Sequence, residues 1–170
     1  MLQSEKSVRC LIADDVRASR EVVLTWLKEC QVDCEVAVDG QQAWEAIQRR
    51  PPNLLITDLD MPIISGLELI QRIRQSVDDA ICQIPVLVVT GLCDGKAAKV
   101  VQTMGGNGLL QKPLDKRCTI SAVLNLLSEE ADQAVTSGSA VLASQPGDGM
   151  ISPTLRRLIA TMELNHRLQD

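Results

Sequence analysis

The chain has 170 residues, enough for one ordinary domain plus an appendage but not for two full domains. Its apolar content of 45% suits a globular core, its net charge of −5 argues against nucleic acid as the main partner, and no apolar run approaches the ~20 residues of a transmembrane helix. Tyr and Phe are absent, so Trp26 and Trp44 are the only aromatics, and most of the stacking groups of single-strand nucleic-acid binders are missing.

Residues 1–7 form a polar lead with no visible signal peptide, which points to a cytoplasmic protein. Val8 to Ala13 then reads as a buried strand ended by Asp14-Asp15. Arg17 to Cys30 follows as a helix with Val22, Val23, Trp26 and Leu27 on one side. Cys34 to Val38 is a second strand, closed by Asp39-Gly40. Gln41 to Arg49 makes a second helix with Ala43, Trp44 and Ile47 on one face, stopped by Pro51-Pro52.

Leu54 to Thr57 is a third strand, short and apolar until its end, and Asp58-Leu59-Asp60-Met61-Pro62 is the loop after it. Gly66 stands near the start of a third helix reaching about Val77. Pro85 to Thr90 is a fourth strand, and Asp94 suits the N-cap of a fourth helix to about Met104. Gly105-Gly106-Asn107-Gly108 ends that helix by permitting left-handed backbone. Leu109 to Gln111 is a fifth strand closed by Lys112-Pro113, and Asp115 begins a fifth helix to about Ser128.

Apolar strands alternating with amphipathic helices predict an α/β fold: a doubly wound, five-stranded parallel sheet with helices on both faces. The natural strand order is the flavodoxin-like 2-1-3-4-5. The expected domain spans 8–128, a Gly/Ser/Pro-containing linker spans 129–150, and a helix-like extension opened by Ser152-Pro153 spans 151–170. About 20 residues cannot form a helix-turn-helix output domain, so direct DNA binding is not expected. The readings for the extension are a helix that docks on its own domain or frays, a dimerisation or partner-binding helix, and a poorly ordered tail.

The six cysteines hold one close pair in sequence, Cys30 and Cys34, and no zinc-site spacing. They read as reduced thiols, several of them buried as small hydrophobes. The single histidine, His166, lies near the C-terminus, which argues against a Ser-His or Cys-His pair in the main domain.

Polar residues mark the C-terminal ends of four strands: Asp14 and Asp15, Asp58, Thr90, and Lys112. In order 2-1-3-4-5 these strands are neighbours, so all five residues converge in one crevice at the switch point. Taken singly, an Asp after a strand is usually a cap, a Thr at a strand end is common and a Lys-Pro is usually a loop. The joint pattern is what points to chemistry. Three clustered carboxylates repel one another, so either one stays protonated or a cation neutralises them, and an all-oxygen set with open positions suits Mg²⁺. Lys112 supplies a point charge for a phosphoryl oxygen and Thr90 a hydroxyl, with Asp58 as the attacking group.

These residues resemble the receiver domain of two-component response regulators. The matching motifs are Asp14-Asp15, Asp58 with Asp60-Met61-Pro62 and Gly66, Thr90-Gly91, and Lys112-Pro113, spanning roughly Val8 to Leu127. The resemblance implies that Asp58 is the phosphoacceptor. It implies that Asp14, Asp15, Asp58 and the backbone carbonyl of Asp60 hold Mg²⁺, directly or through water. It makes Thr90 the switch hydroxyl, Lys112 the partner of the phosphoryl oxygen, and the Lys112-Pro113 bond cis.

The implied partners are a histidine kinase or phosphotransfer protein and a downstream protein target. The implied activity is self-phosphorylation and self-dephosphorylation only. The chain departs from the family at Leu109, where a Tyr or Phe usually stands three residues before the lysine. Leu can change rotamer but carries no hydroxyl and less area. Two other readings are a receiver-like binding module that acts without phosphorylation and a phosphohydrolase of the haloacid-dehalogenase type. The latter fits poorly, because its second acidic cluster comes late in the chain and its cap domain has no room here.

Overall fold

The computed structural model describes residues 8–91 and 95–132, with side chains through residue 128. The elements in chain order are β1 (Arg9–Ala13), α1 (Arg17–Glu29), β2 (Asp33–Ala37), α2 (Gly40–Arg49), β3 (Leu54–Asp58), α3 (Gly66–Arg74), α4 (Asp79–Cys82), β4 (Val86–Thr90), α5 (Gly95–Thr103), β5 (Gly108–Gln111) and α6 (Lys116–Asp132). The five strands form one sheet in the order β2-β1-β3-β4-β5, and every pairing is parallel. The doubly wound topology expected from the sequence is the topology observed.

The strands are apolar on both faces because both faces are covered. On one side Leu11, Leu55, Val86 and Val88 pack with Ala43, Ala46 and Ile47 of α2, Leu67, Ile70 and Ile73 of α3, and Val101 of α5. On the other, Cys10, Ile12, Leu54, Ile56, Leu87 and Val89 pack with Val23 and Leu27 of α1 and Val123 and Leu126 of α6. Fully burying each large aliphatic side chain contributes about 1.5–3 kcal/mol, so these two layers carry the fold.

Several local expectations need correction. Val22 is exposed and Trp26 half-buried, so the inward stripe of α1 is narrower than expected and rests on Val23 and Leu27. Asp39 does not merely close β2. Its side chain accepts from Gln42 N at 2.8 Å and caps α2, which therefore starts at Gly40. The third helix stops at Arg74, and Val77 is fully exposed. Asp78 then caps the short α4 by accepting from Ala80 N at 2.9 Å, which drops Ile81 into the core. At the other end α6 continues to Asp132, four residues past the expected boundary. Gly105 has φ +94, the left-handed residue that ends α5, as expected. The Asp94 cap, lead 1–7, the linker beyond Asp132 and extension 151–170 lie outside the described residues.

Arg74 ties three segments together. Its guanidinium donates to Gly105 O at 3.0 and 2.7 Å, to Cys82 O at 2.7 Å, to Ile84 O at 2.9 Å and to Asn107 Oδ1 at 2.9 Å. Asn107 Oδ1 also accepts from Val86 N at 2.9 Å. The entrances to β4 and β5 are thereby fixed at the sheet edge opposite the carboxylates.

Candidate functional site

Parallel strands all deliver their C-terminal residues to one edge. Asp14 follows β1, Asp58 ends β3, Thr90 ends β4, and Lys112 follows β5. Asp14, Asp58 and Thr90 are buried, whereas Asp15 is exposed. Carboxylate oxygens of Asp14, Asp15 and Asp58 lie within 4.8 Å of one another. The three acidic residues singled out in the sequence are therefore one cluster.

Lys112 reaches into this cluster. Its Nζ donates to Asp58 Oδ2 at 2.6 Å and to Asp14 Oδ2 at 2.9 Å. The strand pairing that aims it continues into the loop, where Lys112 N donates to Thr90 O at 2.8 Å. The Lys112–Pro113 bond is cis. Leu109 packs at the margin of the core on the α2–α3–α5 face, partly buried.

Burial, which penalises the charged form, raises the Asp58 pKa, and the neighbouring charge of Asp14 adds to it. The hydrogen bond and charge of Lys112 and the hydrogen bond from Asp60 N oppose the rise without cancelling it. For Lys112, burial works against the charge, but the bonds to Asp58 and Asp14 outweigh it and the pKa is raised. The ammonium is thus held charged beside a carboxylate that the fold makes costly to ionise.

Other contacts orient the carboxylates. Asp14 Oδ1 accepts from Val16 N at 2.8 Å and Oδ2 from Ser19 Oγ at 2.6 Å, while the Arg20 guanidinium donates to Asp14 O. Asp58 Oδ1 accepts from Asp60 N at 3.2 Å, so Asp60 meets Asp58 through its backbone while its side chain is exposed. Ser19 and Arg20 were not singled out by sequence reasoning. Their only sequence signal is a position one turn into the helix after Asp14.

The loop after β3 is pressed against two glycines. A Cβ at Gly66 would lie 2.0 Å from Asp58 O, and one at Gly40 would lie 2.0 Å from Ile64 O. Between them Ile64 N donates to Pro62 O at 2.8 Å, closing a three-residue turn with Ile63 at φ +70. That conformation is strained for a β-branched residue, and it turns the Ile63 side chain into solvent. The Asp58 carboxylate is therefore held by a backbone path with little freedom.

The cluster has the donor set of a hard divalent cation: carboxylate oxygens, with Asp15 on the open side where water can complete the shell. The residues present fit Mg²⁺ in chemistry, and Lys112 supplies the remaining positive charge.

A family model described as the response regulator receiver domain matches residues 10–124. The chain is 34% identical over 116 residues to the 3',5'-cyclic-nucleotide phosphodiesterase regA of Dictyostelium discoideum, covering 66% of this chain and 14% of that protein. It is 32% identical over 134 residues to the response regulator MprA of Mycobacterium ulcerans, covering 77% of this chain and 56% of that protein. It thus spans little more than half the length of one and a small part of the other. Among solved structures, a putative response regulator from Chloroflexus aurantiacus superposes with a TM-score of 0.68 at 28% identity, covering 72% of this chain and 99% of that one. The chain belongs to the response regulator receiver family of two-component signalling.

Proposed function

We propose that Asp58 accepts a phosphoryl group in a Mg²⁺-dependent reaction, and that the phosphorylated crevice switches a protein-interaction surface. The observation that carries this reading is the buried Asp58 carboxylate, flanked within 4.8 Å by Asp14 and Asp15 and bonded to Lys112. Asp14, Asp15, Asp58 and the backbone carbonyl of Asp60 are the groups that would hold Mg²⁺. When bound, the ion supplies charge neutralisation for the transferring phosphoryl oxygens.

A carboxylate oxygen of Asp58 attacks phosphorus, and an O–P bond forms as the bond from phosphorus to the donor breaks. The electron pair of that bond leaves with the donor. For a histidine kinase or phosphotransfer protein the broken bond is P–N and the pair returns to imidazole. Lys112 then carries its charge from the carboxylate to a phosphoryl oxygen, and Thr90 donates its hydroxyl to another. The new group brings roughly −1.5 to −2 charges to the ends of β4 and β5. Those charges bias the loops leading into α5 and α6, which present the surface to a downstream protein.

The test is intact-mass measurement after incubation with a small-molecule phosphodonor and Mg²⁺. The expected result is one phosphoryl addition that requires Mg²⁺ and is lost in Asp58→Asn. No addition, under conditions where another receiver domain reacts, would favour a receiver fold that binds partners without phosphorylation.

A further inference from the structure

Cys10 and Cys34 are direct cross-strand partners in the β1–β2 ladder. Directly paired strands are ~4.8 Å apart, inside the 4.4–6.8 Å Cα separation that a disulfide spans. Both side chains belong to the face covered by α1 and α6, where the Cys10 thiol donates to Leu11 O at 3.9 Å and the Cys34 thiol to Val32 O at 3.5 Å. Cys10 is fully buried, while Cys34 lies on the edge strand and is partly accessible. One member of the pair can therefore meet a reagent from solvent, and the other is waiting beneath it.

We propose that Cys10 and Cys34 form a redox site that hydroperoxides convert to an intramolecular disulfide, closing a covalent ring around α1 and the acidic pair Asp14-Asp15. The Cys34 sulfur, as thiolate, attacks the peroxide oxygen. The S–O bond forms, the O–O bond breaks, and the departing hydroxide (or alkoxide) takes a proton, leaving Cys34 as sulfenic acid. The Cys10 sulfur then displaces that hydroxyl. The S–S bond forms, the S–O bond breaks, and the Cys10 proton leaves with the hydroxide as water. The thiol pair loses two electrons and one peroxide is reduced.

The accessible partner is also the activated one. Interaction with the neighbouring Cys10 holds the Cys34 thiol below its ordinary pKa, whereas the same interaction and burial push the Cys10 thiol up. Edge strand β2 has no further strand beside it among the described residues, so it is free to close the last fraction of an ångström. Cys30, at the C-cap of α1, packs against the same cluster and is the competing partner for Cys34.

The experiment treats the reduced full chain with hydrogen peroxide, alkylates the remaining thiols, digests with trypsin and maps the peptides without reduction. Cleavage at Arg9, Arg17, Lys28 and Arg49 places Cys10 in peptide 10–17 and both Cys30 and Cys34 in peptide 29–49. The expected result is a cross-link joining those two peptides within one chain, reversed by dithiothreitol and retained in Cys30→Ser. In Cys34→Ser it is lost. A disulfide confined to peptide 29–49, or a peroxide-treated protein whose Cys10 and Cys34 are both still alkylated, would overturn the proposal.

Discussion

Lys112 sets its ammonium 2.6 Å from the carboxylate of Asp58, across 54 residues of chain. The same ammonium lies 2.9 Å from Asp14, so one cation serves two carboxylates from two other strands. In the metal-free protein Lys112 is the group that makes this crowded acidic corner tolerable.

Replacing Lys112 by Met therefore leaves Asp14 and Asp58 facing each other without a counter-charge. Charge-assisted hydrogen bonds in partly buried positions are worth about 1.5–3 kcal/mol, and a loss of about 2 kcal/mol is expected for metal-free Lys112→Met at neutral pH. The raised pKa of Lys112 keeps the wild-type contribution complete below the ordinary lysine value and removes it only as pH rises through the folded one. Added Mg²⁺ should recover part of the loss in the variant. Urea denaturation with and without Mg²⁺ checks this, and equal stability of variant and wild type without metal would contradict it.

Asp58 behaves in the opposite sense to most paired carboxylates. Its folded pKa is raised, chiefly by burial, so the folded state keeps its proton where the unfolded chain, near pH ~4, has lost it. The stability this contributes is complete below ~4 and declines as pH rises through the folded value. Asp58→Asn escapes the decline. Metal-free Asp58→Asn is expected to be the more stable protein at neutral pH, by a margin that opens as pH is raised from ~4. Denaturation curves of both proteins across that range would show it, and a margin independent of pH would speak against it.

Gly66 is a steric requirement rather than a helix preference. A methyl there meets the backbone carbonyl of Asp58 at 2.0 Å, and backbone cannot move aside as a side-chain tip can. Gly66→Ala should cost about 1–3 kcal/mol and should also slow phosphoryl uptake, because relief requires displacing Asp58 itself. Denaturation and uptake measured on the same sample test both parts. A change of under ~0.5 kcal/mol, the range of ordinary surface substitutions, would contradict the geometry.

Arg74 lies at the sheet edge opposite Asp58 yet holds the entrances to β4 and β5. Arg74→Met strips partners from Gly105 O, Cys82 O, Ile84 O and Asn107 Oδ1, and about 2–4 kcal/mol of destabilisation is expected from these partly buried groups. Phosphoryl uptake per folded molecule should stay near wild type, since Arg74 touches none of the site residues. Chemical denaturation paired with uptake separates the two effects.

The architecture was readable because both sheet faces are covered. Uninterrupted runs such as Leu54-Leu55-Ile56 and Val86-Leu87-Val88-Val89 leave Asp58 and Thr90 conspicuous as the points where burial stops being apolar. The supporting shell was less visible, since each part depends on a three-dimensional meeting. Arg74 reads as one more charge on an amphipathic helix, and only folding brings it to Gly105. Gly40 looks like a turn glycine until Ile64 O is placed on it. Cys10 and Cys34 become partners only through the register of β1 and β2, while spacing along the chain pointed to Cys30 and Cys34. The helix α3 ends before Val77, apolar though that residue is, and the Asp78 cap restarts the chain after it.

The most direct measurement is the position of the phosphoryl group. After exposure to a small-molecule phosphodonor and Mg²⁺, borohydride reduction turns an acyl phosphate into an alcohol at the carboxyl that carried it, and peptide sequencing by mass locates that residue. The account predicts reduction at Asp58 alone, absent without Mg²⁺. Reduction at Asp14 or Asp15, or modification of Asp58 without Mg²⁺, would contradict it.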